Sequence, residues 1–317
     1  MQDLQVRLAA LGLEGAATEA GYYGDSTEAA VRAFQAHRGL RVDGVCGRQT
    51  WSSVVEAGYT LGDRLVYHRT PMLRGDDVVD LQHRLNALGF DSGRPDGIFG
   101  PNTAAALLEF QRNVGVAGDG ISGPATVAAL RRLSRFAGGS VASVRERESL
   151  RVAGRRLAGR RVYLATEPGL DALGENVGKG LVDLGADVLS AGGAEDDSVV
   201  ASEANRYRAD LFLGVRFGDI PGASCDFFAS KSFRSEAGFR VARSVLEELC
   251  RALEIPPCDP SGRAYALLRE TRMPAVVCQP VDGDDAGGVQ RLVARSGEAG
   301  RAIVRGIRRG VEEPLDG

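Results

Sequence analysis

Histidine is the scarcest chemical resource in this chain. There are three, His37, His68 and His83, and none beyond position 83. Everything after that point must work without an imidazole, the commonest neutral metal ligand and proton carrier at pH 7. Lysine is nearly missing too: Lys179 and Lys231 are the only two. Arginine therefore carries almost all positive charge, which reads as a coding bias and lowers the weight of any single arginine. The five cysteines, Cys46, Cys225, Cys250, Cys258 and Cys278, are odd in number and never spaced as Cys-x-x-Cys. That pattern excludes a disulfide framework and a zinc ribbon, and predicts burial as small apolar groups in a reduced compartment. No apolar run approaches 18 residues, so no transmembrane helix is expected. The opening Met1-Gln2-Asp3-Leu4 lacks a basic then apolar leader, so no secretory signal is expected and the predicted location is cytoplasmic. A net charge of −3 argues against a general nucleic-acid binder.

What remains is an ordinary globular composition, 44% hydrophobic and 26% charged over 317 residues, enough for two or three domains. Its first half is a duplication. Leu4-Gln5-x-Arg7-Leu8-x-Ala10-Leu11-Gly12 recurs as Leu81-Gln82-x-Arg84-Leu85-x-Ala87-Leu88-Gly89. Phe34-Gln35 recurs as Phe110-Gln111, and Asp43-Gly44-x-x-Gly47-x-x-Thr50 as Asp119-Gly120-x-x-Gly123-x-x-Thr126. A near-constant offset of this kind marks an internal repeat. Each copy carries three helix-period apolar stripes, in copy two Val78/Leu81/Leu85/Leu88, Leu107/Phe110 and Val127/Leu130/Leu133. Turn residues separate them, and Pro124 opens the third helix. The prediction is two small three-helix bundles, residues 1–58 and 74–136.

These motifs resemble the peptidoglycan-binding type-1 module over nearly the whole of both copies. The resemblance implies a peptidoglycan-derived ligand. Tyr22, Tyr23, Trp51 and Phe99, aromatic and close to the loops, are the candidate ligand-binding residues.

A basic linker is expected over 137–159; seven arginines face two glutamates between Val144 and Arg161. From residue 160 to 312 the pattern alternates strand and helix, which predicts an α/β domain with a mostly parallel, helix-flanked sheet. Expected strands are Val162–Thr166, Asp187–Ser190, Leu211–Val215, Cys225–Ala229, Tyr265–Leu268 and Ala275–Cys278. Expected helices include one near Val177–Leu184, a long one at Glu236–Leu253 and a last one at Val289–Val311. Gly174–Gly180 falls short of a phosphate loop by one residue, and Asp282–Asp285 reads as a helix cap.

Several pieces resemble the zinc-dependent N-acetylmuramoyl-L-alanine amidases of the amidase-3 type. Glu167-Pro168-Gly169-Leu170 stands where that family has Asp-Pro-Gly-His. Ala204-Asn205 and then Gly214-Val215-Arg216 stand where it has Ala-Asn and a strand ending in a second histidine. Leu268-Arg269 leads to Pro274-Ala275-Val276 and Gln279, where the family has its catalytic glutamate. The resemblance thus places Leu170, Glu175 and Arg216 at the metal positions and Gln279 at the base. A guanidinium has no lone pair to give a metal, and an amide cannot take a proton from water. The expectation is no catalytic residue, no zinc and no other cofactor. Arg216 is kept as a possible anion contact.

Taken together, the chain resembles the CwlM-type, amidase-like proteins of actinobacteria: two peptidoglycan-binding type-1 modules followed by a degenerate amidase-3 domain. That resemblance implies a non-catalytic regulator of cell-wall precursor synthesis. Its partners would be a precursor enzyme such as the enolpyruvyl transferase and the lipid II flippase machinery, without nucleic acid or membrane insertion. Members are controlled by phosphorylation of a threonine-bearing tail; this chain has no threonine after Thr271. The alternative is an active zinc-dependent amidase that hydrolyses the muramoyl–L-alanine bond.

Overall fold

The computed structural model describes residues 1–13, 20–133, 156–192, 196–230 and 233–312. The chain divides into two compact units, Met1–Arg145 and Glu146–Gly317. The expected basic linker lies outside the described residues as far as position 155.

In the first unit each sequence copy supplies three helices. Copy one has α1 (Gln2–Ala10), α2 (Asp25–Arg38) and α3 (Arg48–Ala57); copy two has α4 (Asp76–Ala87), α5 (Pro101–Val114) and α6 (Pro124–Leu133). The predicted stripes form the core, with Leu81, Leu85, Leu107, Phe110 and Leu130 fully buried. The repeated glutamines have a different task. Gln111 Nε2 reaches Asp119 Oδ1 (2.9 Å), the Ile121 carbonyl (3.0 Å) and Thr126 Oγ1 (3.1 Å), while its Oε1 accepts from Gly120 N (2.9 Å). Gln35 makes the same four contacts with Asp43, Val45, Thr50 and Gly44. One buried amide thus pins the whole Asp-Gly-x-x-Gly-x-x-Thr loop. The glycine is required because Gly44 and Gly120 sit at φ 71° and 72°.

Residues 59–73, outside both expected bundles, also join the core of the second copy. Leu61, Val66 and Leu73 pack among its buried residues. The short strand β1 (Val66–Tyr67) pairs antiparallel with β2 (Ile121–Ser122).

The second unit is built on a six-stranded sheet: β3 (Arg161–Thr166), β4 (Asp187–Gly192), β5 (Leu211–Val215), β6 (Ser224–Phe228), β7 (Ser261–Arg263) and β8 (Ala275–Gln279), in the order β4-β3-β5-β8-β6-β7. The first four in that order are parallel, and β6 runs antiparallel to β8. Its helices are α7 (Asp171–Asp183), α8 (Asp197–Tyr207), α9 (Glu236–Leu253), α10 (Ala266–Glu270), α11 (Ala286–Ala294) and α12 (Ser296–Glu312). Val162, Leu164, Leu211, Leu213, Val215, Cys225, Phe227, Val276 and Cys278 form one core with residues of α7, α9 and α12. A Cβ on Gly306 or Gly310 of α12 would strike the α9 backbone at Val245 or Val241, so these glycines set how closely the two helices approach.

Four expectations need correction. Tyr265–Leu268 is not a strand; Tyr265 precedes, and Ala266–Leu268 open, the short helix α10. A brief apolar run has no period long enough to separate the two states. Strand β7 was not foreseen, because Ser261-Gly262-Arg263 carries no apolar residue. The last helix is broken between Ala294 and Ser296 into α11 and α12. Burial holds for Cys225, Cys250 and Cys278, but Cys46 is half-buried and Cys258 exposed. Asp285 does cap α11, accepting from Gly288 N at 2.9 Å. Gly174 and Gly180 lie within α7, packed on Thr166 and Val304, so no phosphate loop forms.

Replacing the buried pin in copy two tests its role. Gln111→Leu keeps the volume but strands the Gly120 N–H and takes away the donor to Asp119, Ile121 and Thr126. It should cost about 3 kcal/mol, given roughly 1–3 kcal/mol for each buried group left without a partner. Helical signal in denaturant should be lost earlier, while exposed Arg112→Ala should leave the curve unchanged.

Candidate functional site

Strand register builds the site. Thr166 lies beside Val215 and Val215 beside Cys278. The next residue of each strand, Glu167, Arg216 and Gln279, therefore stands abreast at the carboxyl end of the parallel strands, where open α/β sheets place their chemistry. The backbone confirms the alignment: Glu167 N donates to the Val215 carbonyl and Arg216 N to the Cys278 carbonyl, each at 2.9 Å. Antiparallel β6 brings Ser224 opposite Gln279 and Asp226 opposite Val277.

These side chains form a polar cluster on the sheet face opposite the main core. Arg216 Nη2 donates to Asp197 Oδ1 at 2.6 Å, at the first turn of α8. Burial opposes the charge on Arg216, but Asp197, with Tyr265 and Glu167 nearby, holds its pKa above the ordinary guanidinium value. Glu167 Oε2 accepts from Phe217 N (2.8 Å) and so fixes the turn that presents Arg216. Gln279 Oε1 accepts from Ser224 Oγ (2.7 Å), and its Nε2 donates to Asp226 Oδ2 (3.3 Å). The Tyr265 hydroxyl donates to the same oxygen at 3.2 Å, and burial pushes that phenol far up. Arg263 Nε stands 3.8 Å from Asp226 Oδ1. Even so, burial raises Asp226 from an ordinary 3.8 to about 6; Arg263 and the Tyr265 hydrogen bond only partly offset it.

The other expected positions lie apart from this cluster. Leu170, one turn past β3, is 3% exposed and packs in the main core, on the opposite face. Glu175 is on the solvent side of α7 with Lys179 and Val182, while Gly174 and Gly178 face the sheet. It does not reach toward Arg216, which corrects its expected place among metal positions. Asn205 clamps α10: its Nδ2 donates to the Glu270 carbonyl and its Oδ1 accepts from Arg272 N, both at 2.8 Å. Asp197, Ser224, Asp226, Arg263 and Tyr265 were missed by sequence reasoning. The one available signal was Ser224-Cys225-Asp226-Phe227-Phe228, in which polar residues alternate inside a strand buried throughout.

In the first unit, Tyr22 is exposed and Trp51 partly so, with the Arg7 guanidinium over its ring at 5.8 Å. The Tyr23 hydroxyl donates to the Gly44 carbonyl. Phe99 has no exposed surface and sits among the core residues, so its assignment as a ligand contact is withdrawn. A ring sealed in a core meets a ligand only if the core opens.

The family model described as "Putative peptidoglycan binding domain" matches residues 1–53 and 74–130. The N-acetylmuramoyl-L-alanine amidase CwlM of Mycobacterium tuberculosis is 38% identical over 278 residues, spanning 78% of this chain and 68% of that protein. The chain belongs to the CwlM family. A probable N-acetylmuramoyl-L-alanine amidase of Bacillus licheniformis is 35% identical over 132 residues, 37% of each chain. The amidase Ami1 of Mycobacterium smegmatis, a solved structure, is 16% identical with a TM-score of 0.41, covering 49% of this chain and 98% of that one.

In this CwlM-family chain the residues at the expected metal positions do not fit a catalytic zinc, which takes three protein donors and leaves one position open. Leu170 is apolar, Arg216 is a paired cation and Glu175 faces solvent. Among the described residues no group of three or more His, Cys, Asp or Glu converges on a metal-sized site. No helix among them is long and apolar enough to cross a membrane.

Asp226 supplies a pH test. Its folded pKa lies above the unfolded value, so the native state holds the extra proton between them. Stability should fall as pH rises from about 4 to about 6, by up to about 3 kcal/mol for a two-unit shift. Asp226→Asn removes that dependence. Denaturant curves across this range should shift in favour of the variant as pH rises, with no further change above pH 7.

Proposed function

We propose that this chain is a non-catalytic, amidase-like binding protein that regulates peptidoglycan precursor synthesis from the cytoplasm. The observation that carries this reading is Arg216 at a metal position, locked to Asp197 at 2.6 Å. A zinc ion placed there would meet a fixed positive charge: two unit charges ~4 Å apart repel by about 4 kcal/mol at an effective dielectric near 20, and zinc carries two. Gln279 supports the same reading, since its amide has no basic lone pair and both ends are engaged by Ser224 and Asp226. The polar groups at the ends of these strands would suit a partner or a small anion. The free edge of the Arg216 guanidinium would contact a carboxylate or phosphate.

The partner named by the family resemblance is a precursor enzyme, the enolpyruvyl transferase first, with the flippase machinery second. The peptidoglycan-binding modules would hold a precursor-derived ligand through Tyr22, Tyr23 and Trp51. A second reading, a zinc-dependent N-acetylmuramoyl-L-alanine amidase, is favoured by the activity named for the relatives. In that case zinc would be the cofactor and the muramoyl–L-alanine bond the target.

Metal content and partner capture separate the two. The purified protein should contain no stoichiometric zinc and release no alanine-bearing peptide from muropeptides. It should also recover a precursor-pathway enzyme on affinity purification and change the activity of the transferase. Arg216→Ala should weaken that association about tenfold, the loss of one charge-assisted contact. One zinc per chain with muropeptide cleavage would overturn the proposal in favour of the second reading.

A further inference from the structure

Two of the cysteines, one buried and one exposed, meet at the edge of the main core. Cys250 lies in the last turn of α9 and is 4% exposed, while Cys258 is exposed in the loop that leads to β7. Their Sγ atoms are 3.8 Å apart. A disulfide needs ~2.05 Å, so closure asks for less than ~2 Å of sulfur movement. The loop between them is short and already folded back on the helix, with Ile255 N donating to the Cys250 carbonyl at 3.0 Å. Cys258 Sγ also approaches the Ala223 carbonyl at 3.2 Å, which keeps the exposed thiol near the start of β6 and beside Cys250. Cys225 and Cys278 face each other across β6 and β8, but both are fully buried and no reagent in solution reaches them. A shared metal is not the reason for the pairing, since no third donor converges on it among the described residues.

We infer that Cys250 and Cys258 form an oxidisable dithiol, a modification site that closes to an intramolecular disulfide with hydrogen peroxide or a small-molecule disulfide as oxidant. Exposed Cys258 reacts first. Peroxide converts its thiol to a sulfenic acid and releases one water; the Cys250 sulfur then attacks that sulfur and expels the second water. With a small disulfide, Cys258 displaces one thiol to form a mixed disulfide, and Cys250 displaces the other. Either route takes two electrons and two protons from the pair. Burial and the neighbouring Cys258 push the Cys250 thiol up to about 11, so the second step is slow at neutral pH and accelerates as pH rises.

The experiment uses the full chain. After oxidation with hydrogen peroxide or oxidised glutathione, free thiols are counted and a non-reducing tryptic digest is mapped by mass. The expected result is the loss of two thiols per chain and a reducible link between peptides 244–251 and 252–263. Closure should run roughly tenfold faster per pH unit below the Cys250 pKa. Cys258→Ser, at an exposed position, should abolish the link, and Cys46→Ser should leave it intact. Cys250→Ser should stop the reaction at a glutathione adduct on Cys258. The inference is overturned if Cys258 oxidises only to a sulfinic acid, if it links two chains, or if the thiols are unchanged. Zinc bound between the two sulfurs in the untreated protein would overturn it as well.

Discussion

Strand β5 is hydrogen-bonded along both edges, to β3 and to β8, and buried from Leu211 to Val215. A slip of one residue would turn Leu211, Leu213 and Val215 out of the core that α7, α9 and α12 cover. Register is therefore held by the whole hydrophobic layer, and everything at the candidate site inherits it. Glu167, Arg216 and Gln279 are neighbours because three parallel strands end level. The antiparallel entry of β6 then adds Ser224 and Asp226 from the other direction.

The polar groups at that end of the sheet satisfy one another. Arg216 is tied to Asp197, Gln279 to Ser224 and Asp226, and Tyr265 to Asp226. Removing one member of a buried pair strands the other, which costs more than the pair contributes. Asp226 is the weak point of the network. Three donors surround it, yet desolvation still dominates, with Arg263 at 3.8 Å too distant for a direct hydrogen bond.

The duplicated modules show the same economy. Both copies keep a buried glutamine that holds the Asp-Gly loop, because that loop turns one N–H, one carbonyl and two polar side chains inward and one amide satisfies them at once. The copies differ where residues 59–73 lie. In the second copy Phe99 donates its N–H to the Leu73 carbonyl and Val127 is buried, whereas at the equivalent positions of the first copy Tyr23 is half-buried and Trp51 partly exposed.

Periodicity and repeats in the sequence determined the two three-helix modules, the α/β character of the second unit and the bounds of Leu211–Val215 and Glu236–Leu253. Those elements are long or strongly patterned, and their local preferences agree with their burial. The absence of histidine past position 83 was likewise legible at once, and with it the unsuitability of Leu170 and Arg216 as zinc donors. Short elements were not: β7, α10 and the break before Ser296 depend on neighbours distant in sequence. Tertiary structure alone decided that Arg216 pairs with Asp197, that Glu175 faces solvent, that Phe99 is sealed and that Cys258 meets Cys250. Each of these is a matter of direction, set by strand register and helix rotation, and a linear pattern of residue types carries no information about where a side chain's partner comes from.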